Sequence, residues 1–558
     1  MKGIGIISLL LAIGTVSYGQ DKDSLKVSGG EHRSDRNMLL NAESATVPRE
    51  LNIGLPEGGT GPAVFIDGNK QANGLPRAQY HWYGGNAYMP SGSIELMESV
   101  ISTGEIGICV DSKTKCGTDV LQGAFTVGTS SNGLMRFDGA VNGRIGRGWY
   151  FNTSFYTNND PTSVNAHNRA FVEQKHIFKA GVTKRWSDRG EFNFQFTFSA
   201  NNDIMDNGYS VAPFIYNGDG TINQFNGFRL GRDCYFPADD SINWISMTTG
   251  KERTGTTGKI GLRMLEDFNI YGHWWTDNKW KLSGNLHLCL WNPGDFMKLS
   301  LAGTDLVDAS KGFTRQDGTP YSAYVQNRMA LLEEVHSTDL QCILGAEKRF
   351  DSHHQLSLKL DLIYANQGES VATTIFAHTL DANPLRLLKD GNSCWNQNRN
   401  SQYFDGNKYS AALSGHHKWD INDRVQLKTG ARMRFLYNDI YTAAQMTEYG
   451  DFESGMNKRV EGFNVADHAM CTLHRIQKPY FDGAVSEHMS FRLVDRLFFM
   501  AEGFYSLTGK STTYFKNATI PTLNPIGNAL GRGGFTYDNK WFDCALRFSY
   551  ITSWNNAK

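Results

Sequence analysis

Past its first 20 residues the chain has no long uncharged apolar run. A membrane-crossing helix needs about 20 such residues, so a helical span is excluded. Mean hydropathy is −0.42, and any membrane form of this chain must cross with strands closed into a barrel. An excess of one charge is missing too. The 55 basic residues balance 56 acidic ones, without the basic surplus expected of a nucleic-acid binder. Cysteine is sparse, at positions 109, 116, 234, 289, 342, 394, 471 and 544, and no Cys-x-x-Cys occurs, which argues against a zinc site. Cys109 and Cys116 are the one close pair. In an oxidising compartment they can bridge, although scattered small core fillers are the simpler account.

Catalytic signatures are also lacking. No Gly-x-Ser-x-Gly occurs. Gly503 stands one residue too far from Gly509-Lys510-Ser511 for a phosphate loop. His353-His354 and His416-His417 are adjacent pairs, and strand neighbours point to opposite faces, which prevents chelation by either pair. Asn217-Gly218-Asp219-Gly220-Thr221 resembles the start of a calcium loop but lacks the closing Glu. Asp239-Asp240 and Glu333-Glu334, expected in outer loops, have no Ser or His partner legible nearby and read as solvated charges. The sequence therefore predicts no catalytic residue, no metal site and no cofactor.

What is present is a strand rhythm. Phe192, Phe194, Phe196 and Phe198 alternate with Asn193, Gln195, Thr197 and Ser199. Leu356, Leu358, Leu360 and Leu362 alternate with Ser357, Lys359 and Asp361. Val425, Leu427, Ala431, Met433 and Phe435 face away from Gln426, Lys428, Arg432 and Arg434. Successive strand side chains point to opposite faces, so one face is apolar and the other polar. That suits a wall between lipid and a wet lumen. Lys359, Asp361, Lys428, Arg432 and Arg434 would then line the lumen.

Short turns punctuate the rhythm at Arg144–Gly148, Ser187–Gly190, Thr276–Asn278, Asp351–His353, Ile421–Asp423, Val494–Arg496 and Ser553–Asn556. Nearly all lie beside aromatics: Trp149, Trp186, Trp275, Trp280, Phe350, Trp419, Phe498 and Trp554. This is the pattern of an interfacial belt. Longer polar stretches at 159–175, 202–259, 292–338, 366–407, 439–478 and 508–538 read as outer loops, which puts the short turns on the periplasmic side. About 14 strands result, from near Gly117 to near Ser553. The last residues, Ser-Trp-Asn-Asn-Ala-Lys, open a turn with no return strand, so a barrel incomplete at the C-terminus is expected over 117–558. A 14-strand barrel closed by this short tail is the other reading.

The N-terminus has the marks of a secretory signal over 1–19: Lys2, then an apolar stretch from Ile4 to Val16, then the small residues Ser17 and Gly19. Between it and the barrel, 21–116 lacks long alternating strands. It carries Leu40-Asn41-Ala42-Glu43-Ser44-Ala45-Thr46-Val47-Pro48-Arg49-Glu50-Leu51-Asn52-Ile53-Gly54-Leu55-Pro56, then Gly58-Gly59-Thr60-Gly61, then Val64-Phe65-Ile66-Asp67-Gly68. Later come Ser93-Ile94-Glu95-Leu96-Met97-Glu98-Ser99-Val100 and Thr103-Gly104. In this order, behind a signal and before a barrel, the segment resembles the plug of TonB-dependent outer-membrane receptors, especially the Bacteroidetes type.

The resemblance implies an all-β antiparallel membrane barrel, of 22 strands in the family with about 14 present here, and a small α/β plug domain over 40–116 in the lumen. It implies plug or gating roles for Arg49, Gly54, Pro56, Gly58, Gly59, Gly61, Asp67 and Gly68, with Asp67-Gly68 closing a hairpin. The leader 20–39 holds a candidate energy-coupling box at Asp23–Gly29; the alternative is a plain disordered leader. The implied location is the outer membrane of a Gram-negative bacterium. The implied partners are the TonB–ExbB–ExbD complex, outer-membrane lipids and a surface lipoprotein, with no nucleic acid. The implied activity is import of a scarce ligand, whether siderophore, glycan, peptide or vitamin, and not enzyme chemistry. The competing readings are a porin or binding barrel without energy coupling, and an inactive truncated receptor. Loop aromatics Tyr235, Phe236, Tyr321 and Tyr324 can stack on a ligand or pack their loops internally.

Overall fold

The computed structural model describes residues 63–70, 85–88, 92–94, 109–131, 133–161, 165–166, 173–203, 214–216, 222–225, 233–234, 241–245, 252–256, 262–291, 298–307, 312–322, 325–379, 386–389, 401–445, 471–476, 479–508, 514–515, 526–538 and 543–554. Arg49, Gly54, Pro56, Gly58, Gly59, Gly61, the signal and the leader lie outside them. So do the 217–221 loop, Asp239-Asp240, Tyr235, Phe236 and Tyr324.

Four short strands come first: β1 (Ala63–Ile66), β2 (Asn69–Lys70), β3 (Gly92–Ile94) and β4 (Cys109–Ser112). They form one sheet in the order β2-β1-β4-β3, with β1 parallel to β4. Asp67 and Gly68 make the β1–β2 turn, with φ of 51° and 83°. Two positive φ angles define the hairpin turn whose twist matches its strands, and Asp-Gly suits it.

Fifteen strands then pair in series around the wall, each of these seams antiparallel, and a further strand, Lys298–Val307, pairs with the Val325–Glu333 part of the wall. The fifteen are β5 (Gln122–Thr129), β6 (Met135–Gly146), β7 (Trp149–Asp160), β8 (Glu173–Arg185), β9 (Gly190–Asp203), β10 (Leu262–Trp275) and β11 (Trp280–Trp291). After them come β12 (Val325–Arg349), β13 (His354–Thr379), β14 (Ser401–Asn422), β15 (Val425–Gln445), β16 (Pro479–Val494), β17 (Leu497–Thr508), β18 (Ile526–Asp538) and β19 (Asp543–Trp554). The barrel order sets β19 beside β5. As the first and fifteenth of an alternating series, these two run in the same direction. Among the described residues no helix is long and apolar enough to cross a membrane.

The expected alternation is present, with burial reversed relative to a soluble protein. Asn193, Gln195, Thr197 and Ser199 are buried on the inner face, while Phe192, Ile270, Leu286, Leu344 and Met433 are exposed on the outer one. Phe196 and Phe268 pack on that outer face with ring centroids 5.0 Å apart. Only lipid makes such a surface favourable.

The belt beside the short turns is also present. Trp186 meets Trp274 edge-on at 5.8 Å, and Trp280 meets Phe350 at 6.4 Å. Lys184 lies over Trp149 and Trp186 at 5.3 and 5.9 Å, and Lys348 over Trp280 and Phe350 at 5.2 and 5.4 Å. Long cationic side chains here cover ring faces, and the Lys184 ammonium donates to the Arg147 carbonyl of the short turn at 2.6 Å.

Three expectations are corrected. Strand β18 falls in 508–538, read as a loop; its glycines 527, 531, 533 and 534 erase the apolar alternation. In consequence Ser553 and Trp554, expected to open a short turn on the belt side, end a strand on the other side, and Asn555 and Asn556 lie outside the described residues. Trp554 pairs with Gly527 and Asp543 with Asp538, so β19 runs toward the long-loop rim, and the wall holds fifteen strands in series where about 14 were expected. Thirdly, β12 and β13 are 25 and 26 residues long, whereas about 9–11 span a bilayer. Glu333-Glu334 therefore lie in a strand, opposite Val371 and Ser370, and not in a loop. Above the hydrocarbon both faces are wet, so nothing enforces alternation there.

Candidate functional site: the seat of the small sheet

The small sheet lies against the inner face of β5 to β11, and Asp67 is its hub. The Asp67 carboxylate accepts from the Thr114 amide at 2.8 Å and the Thr114 hydroxyl at 2.6 Å. Its own amide donates to the Ser112 carbonyl at 3.0 Å, and its carbonyl accepts from Asn285 Nδ2 of β11 at 2.9 Å. One residue thus joins hairpin, linker and barrel. Burial pushes the Asp67 carboxyl above its usual range, against the opposing pull of the Thr114 hydrogen bonds and the nearby Lys113 and Lys179 charges.

Two further contacts flank it. The Asn86 amide donates to Asp138 Oδ2 of β6 at 3.0 Å, and Asn86 Nδ2 donates to the Asp138 carbonyl at 2.9 Å and to Thr126 Oγ1 at 3.1 Å. Lys179 of β8, 3% exposed, donates to the Tyr88 hydroxyl and lies 4.0 Å from the Tyr88 ring centre. A cavity of about 10 Å³ remains between Asp67, Thr114, Lys179, Asp267 and His287, room for one water molecule. The wall behind is cross-linked by polar pairs: His287 to Asp267 at 2.6 Å, Gln341 to Asp361 at 2.9 Å, and Asn152 with Gln195 at 2.9 and 3.1 Å.

The linker from the sheet to β5 is tied down as well. Lys115 donates its amide to Ala87, and Arg185 donates to the Gly117 carbonyl at 2.9 Å. A Cβ on Gly117 would stand 2.4 Å from Tyr150 Cβ and 2.8 Å from the Gly143 and Phe151 carbonyl oxygens, so only glycine fits. Burial lowers the Lys115 pKa, with Asp138 opposing, and raises that of Cys116. Cys116 is a free thiol 3.2 Å from Asn193 Oδ1, so the bridge its spacing permits is not formed.

Of the site residues expected from sequence, Asp67 and Gly68 fall at this seat. Asp361 and Arg432 are buried on the inner wall, and Lys359, Lys428 and Arg434 share that face by register. Tyr321 packs against Phe313, Val325, Ala377 and Leu387 with the Arg315 guanidinium 5.3 Å from its ring centre; it supports its own loop. The histidine pairs meet in a way the sequence did not show. One member of each comes together on the outer face, His354 stacked on His417 at 5.2 Å. Among the described residues no cluster suited to a metal forms. Asn86, Tyr88, Thr114 and Lys179 were missed, because single polar residues in unrelated segments carry no spacing signal.

No family profile matches the chain, and no curated protein does. Solved structures match by shape. The ferric yersiniabactin uptake receptor of Yersinia pestis superposes with a TM-score of 0.52 at 11% identity, over 88% of this chain and 63% of that one. The siderophore receptor of Acinetobacter baumannii gives 0.48 at 11% identity, over 88% and 71%. The ferric-catecholate import receptor of E. coli gives 0.47 at 10%, over 88% and 82%. The likeness to the Yersinia receptor is one of fold: both have a large antiparallel barrel. The chain spans 63% of the length of the Yersinia receptor.

Proposed function

We propose that the protein is a TonB-dependent import receptor of the outer membrane, with the 40–116 segment as its plug. The observation that carries this reading is the chemistry of the seat. Among the described residues the segment meets the wall through the Asp67 carbonyl, Asn86 and Tyr88, by hydrogen bonds and charge. Such bonds exchange for water at a net cost of about 0.5–1.5 kcal/mol each, or about 1.5–3 kcal/mol where a charged group takes part, so a pulled plug can leave and return as water enters the lumen. A plug bound through an apolar face would pay the full cost of exposing that face. Ligand contacts on the outer side must differ between the seated and released states to couple capture to release.

TonB with ExbB and ExbD would supply the pull. A ferric siderophore is the ligand class to test first, because the receptors of similar shape are named for that cargo. No catalytic constellation is part of this reading. The test is a tether: Asn86→Cys with Thr126→Cys, whose side chains now meet at 3.1 Å. Uptake of labelled catecholate and hydroxamate ferric siderophores is measured in cells with and without TonB. Import should need TonB, stop on oxidation of the tether and resume on reduction. Import by the oxidised tether at the untethered rate would sink the movable-plug reading.

A further inference from the structure

The outer wall is not uniformly convex. Across β13 to β17 it carries a groove of about 940 Å³ with Leu358, Leu413, Met433, Val485 and Tyr505 around it. Register explains the dent. Leu358, Gly415, Ala431, Val485 and Tyr505 lie opposite one another in a row across five strands, and its second and third members are small. Leu358 folds over Gly415, whose added Cβ would meet its Cδ2 at 2.8 Å. The volume falls in the range of roughly 300–1,000 Å³ that holds a whole small ligand.

The groove is polar at one end only. The next row toward the short turns holds His417, Thr429, Glu487 and Gly503. Rows on one face are two residues, or about 7 Å, apart along a strand. On Glu487's own strand the aromatic level is Phe491 against Phe499, four residues nearer the short turn, and on β13 and β14 it is His354 stacked on Trp419 at 5.8 Å. Glu487 is exposed on this outer face. The Thr429 hydroxyl donates to its Oε1 at 3.0 Å, which satisfies one oxygen and brings no positive charge. A carboxylate facing lipid is unfavourable, and a cation beside it removes much of that cost.

We propose that this groove binds a phospholipid with a primary ammonium headgroup, taken from the leaflet on the short-turn side. The ammonium pairs with Glu487 at the belt-proximal end, and an acyl chain lies over Ala431 toward the bilayer midplane. The direction is fixed by the order along β16 from the short turn inward: the Phe491 aromatic level, the Glu487 carboxylate, then the apolar floor at Val485. An anionic lipid lacks the complementary charge and meets repulsion from Glu487. The proposal rests on the membrane-barrel reading, and its test separates the two.

The full chain is folded in detergent micelles with equal amounts of phosphatidylethanolamine and phosphatidylglycerol, and retained lipids are counted by native mass spectrometry. One phosphatidylethanolamine per barrel is expected, favoured at least fivefold over phosphatidylglycerol. Glu487→Gln should remove that preference, and Ala431→Phe, which fills the floor, should remove retention itself. Folding is read separately from the heat-dependent gel mobility of each variant, and a second groove-filling change, Gly503→Leu, stands in if Ala431→Phe does not fold. Equal retention of the two lipids, or unchanged preference in Glu487→Gln, overturns the proposal. So does a mass of two chains with no lipid, which would make a second copy the occupant. Absence of any folded wild-type band would instead strike at the barrel reading.

Discussion

Replacing Asp67 by Ala is the sharpest probe of how the small sheet is held. The change removes two hydrogen bonds to a charged acceptor, from the amide and hydroxyl of Thr114. Each is worth about 1.5–3 kcal/mol. It also places alanine at a φ of 51°, which costs a further ~1 kcal/mol because Cβ crowds the following carbonyl. Against these stands the relief of burying a carboxylate, the leading cause of its raised pKa. The balance is about 3 kcal/mol, or a local opening on the order of 10² times more frequent, at about 1.4 kcal/mol per decade. Asp67→Asn keeps an acceptor for the Thr114 amide and tolerates the left-handed turn, so its cost should be about 1 kcal/mol. Hydrogen exchange of peptides covering 63–70 and 109–116 in the folded barrel reads both. If Ala leaves exchange of 109–116 within threefold of the wild type, Asp67 does not hold the seat.

The same carboxyl predicts a pH dependence. Burial raises its pKa above 3.8, so the folded chain keeps a proton that the unfolded chain releases. That stabilisation is whole below pH 3.8 and is lost as pH rises through the raised value; protease protection of 63–116 should weaken across that window, and Asp67→Asn should flatten the change. Identical slopes in the two proteins would refute the assignment. Gly117→Ala should destabilise the barrel by about 1–3 kcal/mol through overpacking against Tyr150, seen as loss of the folded gel band at lower temperature; an unchanged transition would contradict the contact. Leu344→Arg, six residues above the Phe350 turn on the outer face, should cost about 2–4 kcal/mol in urea titrations from vesicles. Gln341→Arg, on the lumen side of the same strand, should not show that lipid penalty, and equal m-corrected losses in both would mean the faces are misassigned.

The sequence was legible where one medium enforces a rule. Between the belt and the midplane, lipid on one side and a wet lumen on the other impose a period of two, and β9, β13 and β15 were readable residue by residue. The rule fails where the media become alike. The upper halves of β12 and β13 stand in water on both faces, so their polar residues looked like loops. It fails again in β18, where glycines 527, 531 and 533 stand on the outward face in place of apolar residues. The shift from β18 then carried through to the orientation assigned to β19.

The seat is illegible for a different reason. Its parts come from positions 67, 86, 114, 138, 179 and 285, and no local spacing relates them. Only Asp67-Gly68 announced itself, because a turn is a local object with a local code. The polar face that receives the sheet was visible as the inner half of an alternation, yet which of its polar residues meet the sheet depends on how the sheet is rotated in the lumen. That rotation is set by contacts from separate segments: Asn86 on Asp138, Tyr88 on Lys179 and the Asp67 carbonyl on Asn285. With the linker packed at Gly117 under Tyr150 as well, one contact can open and re-form in the same register while the others hold.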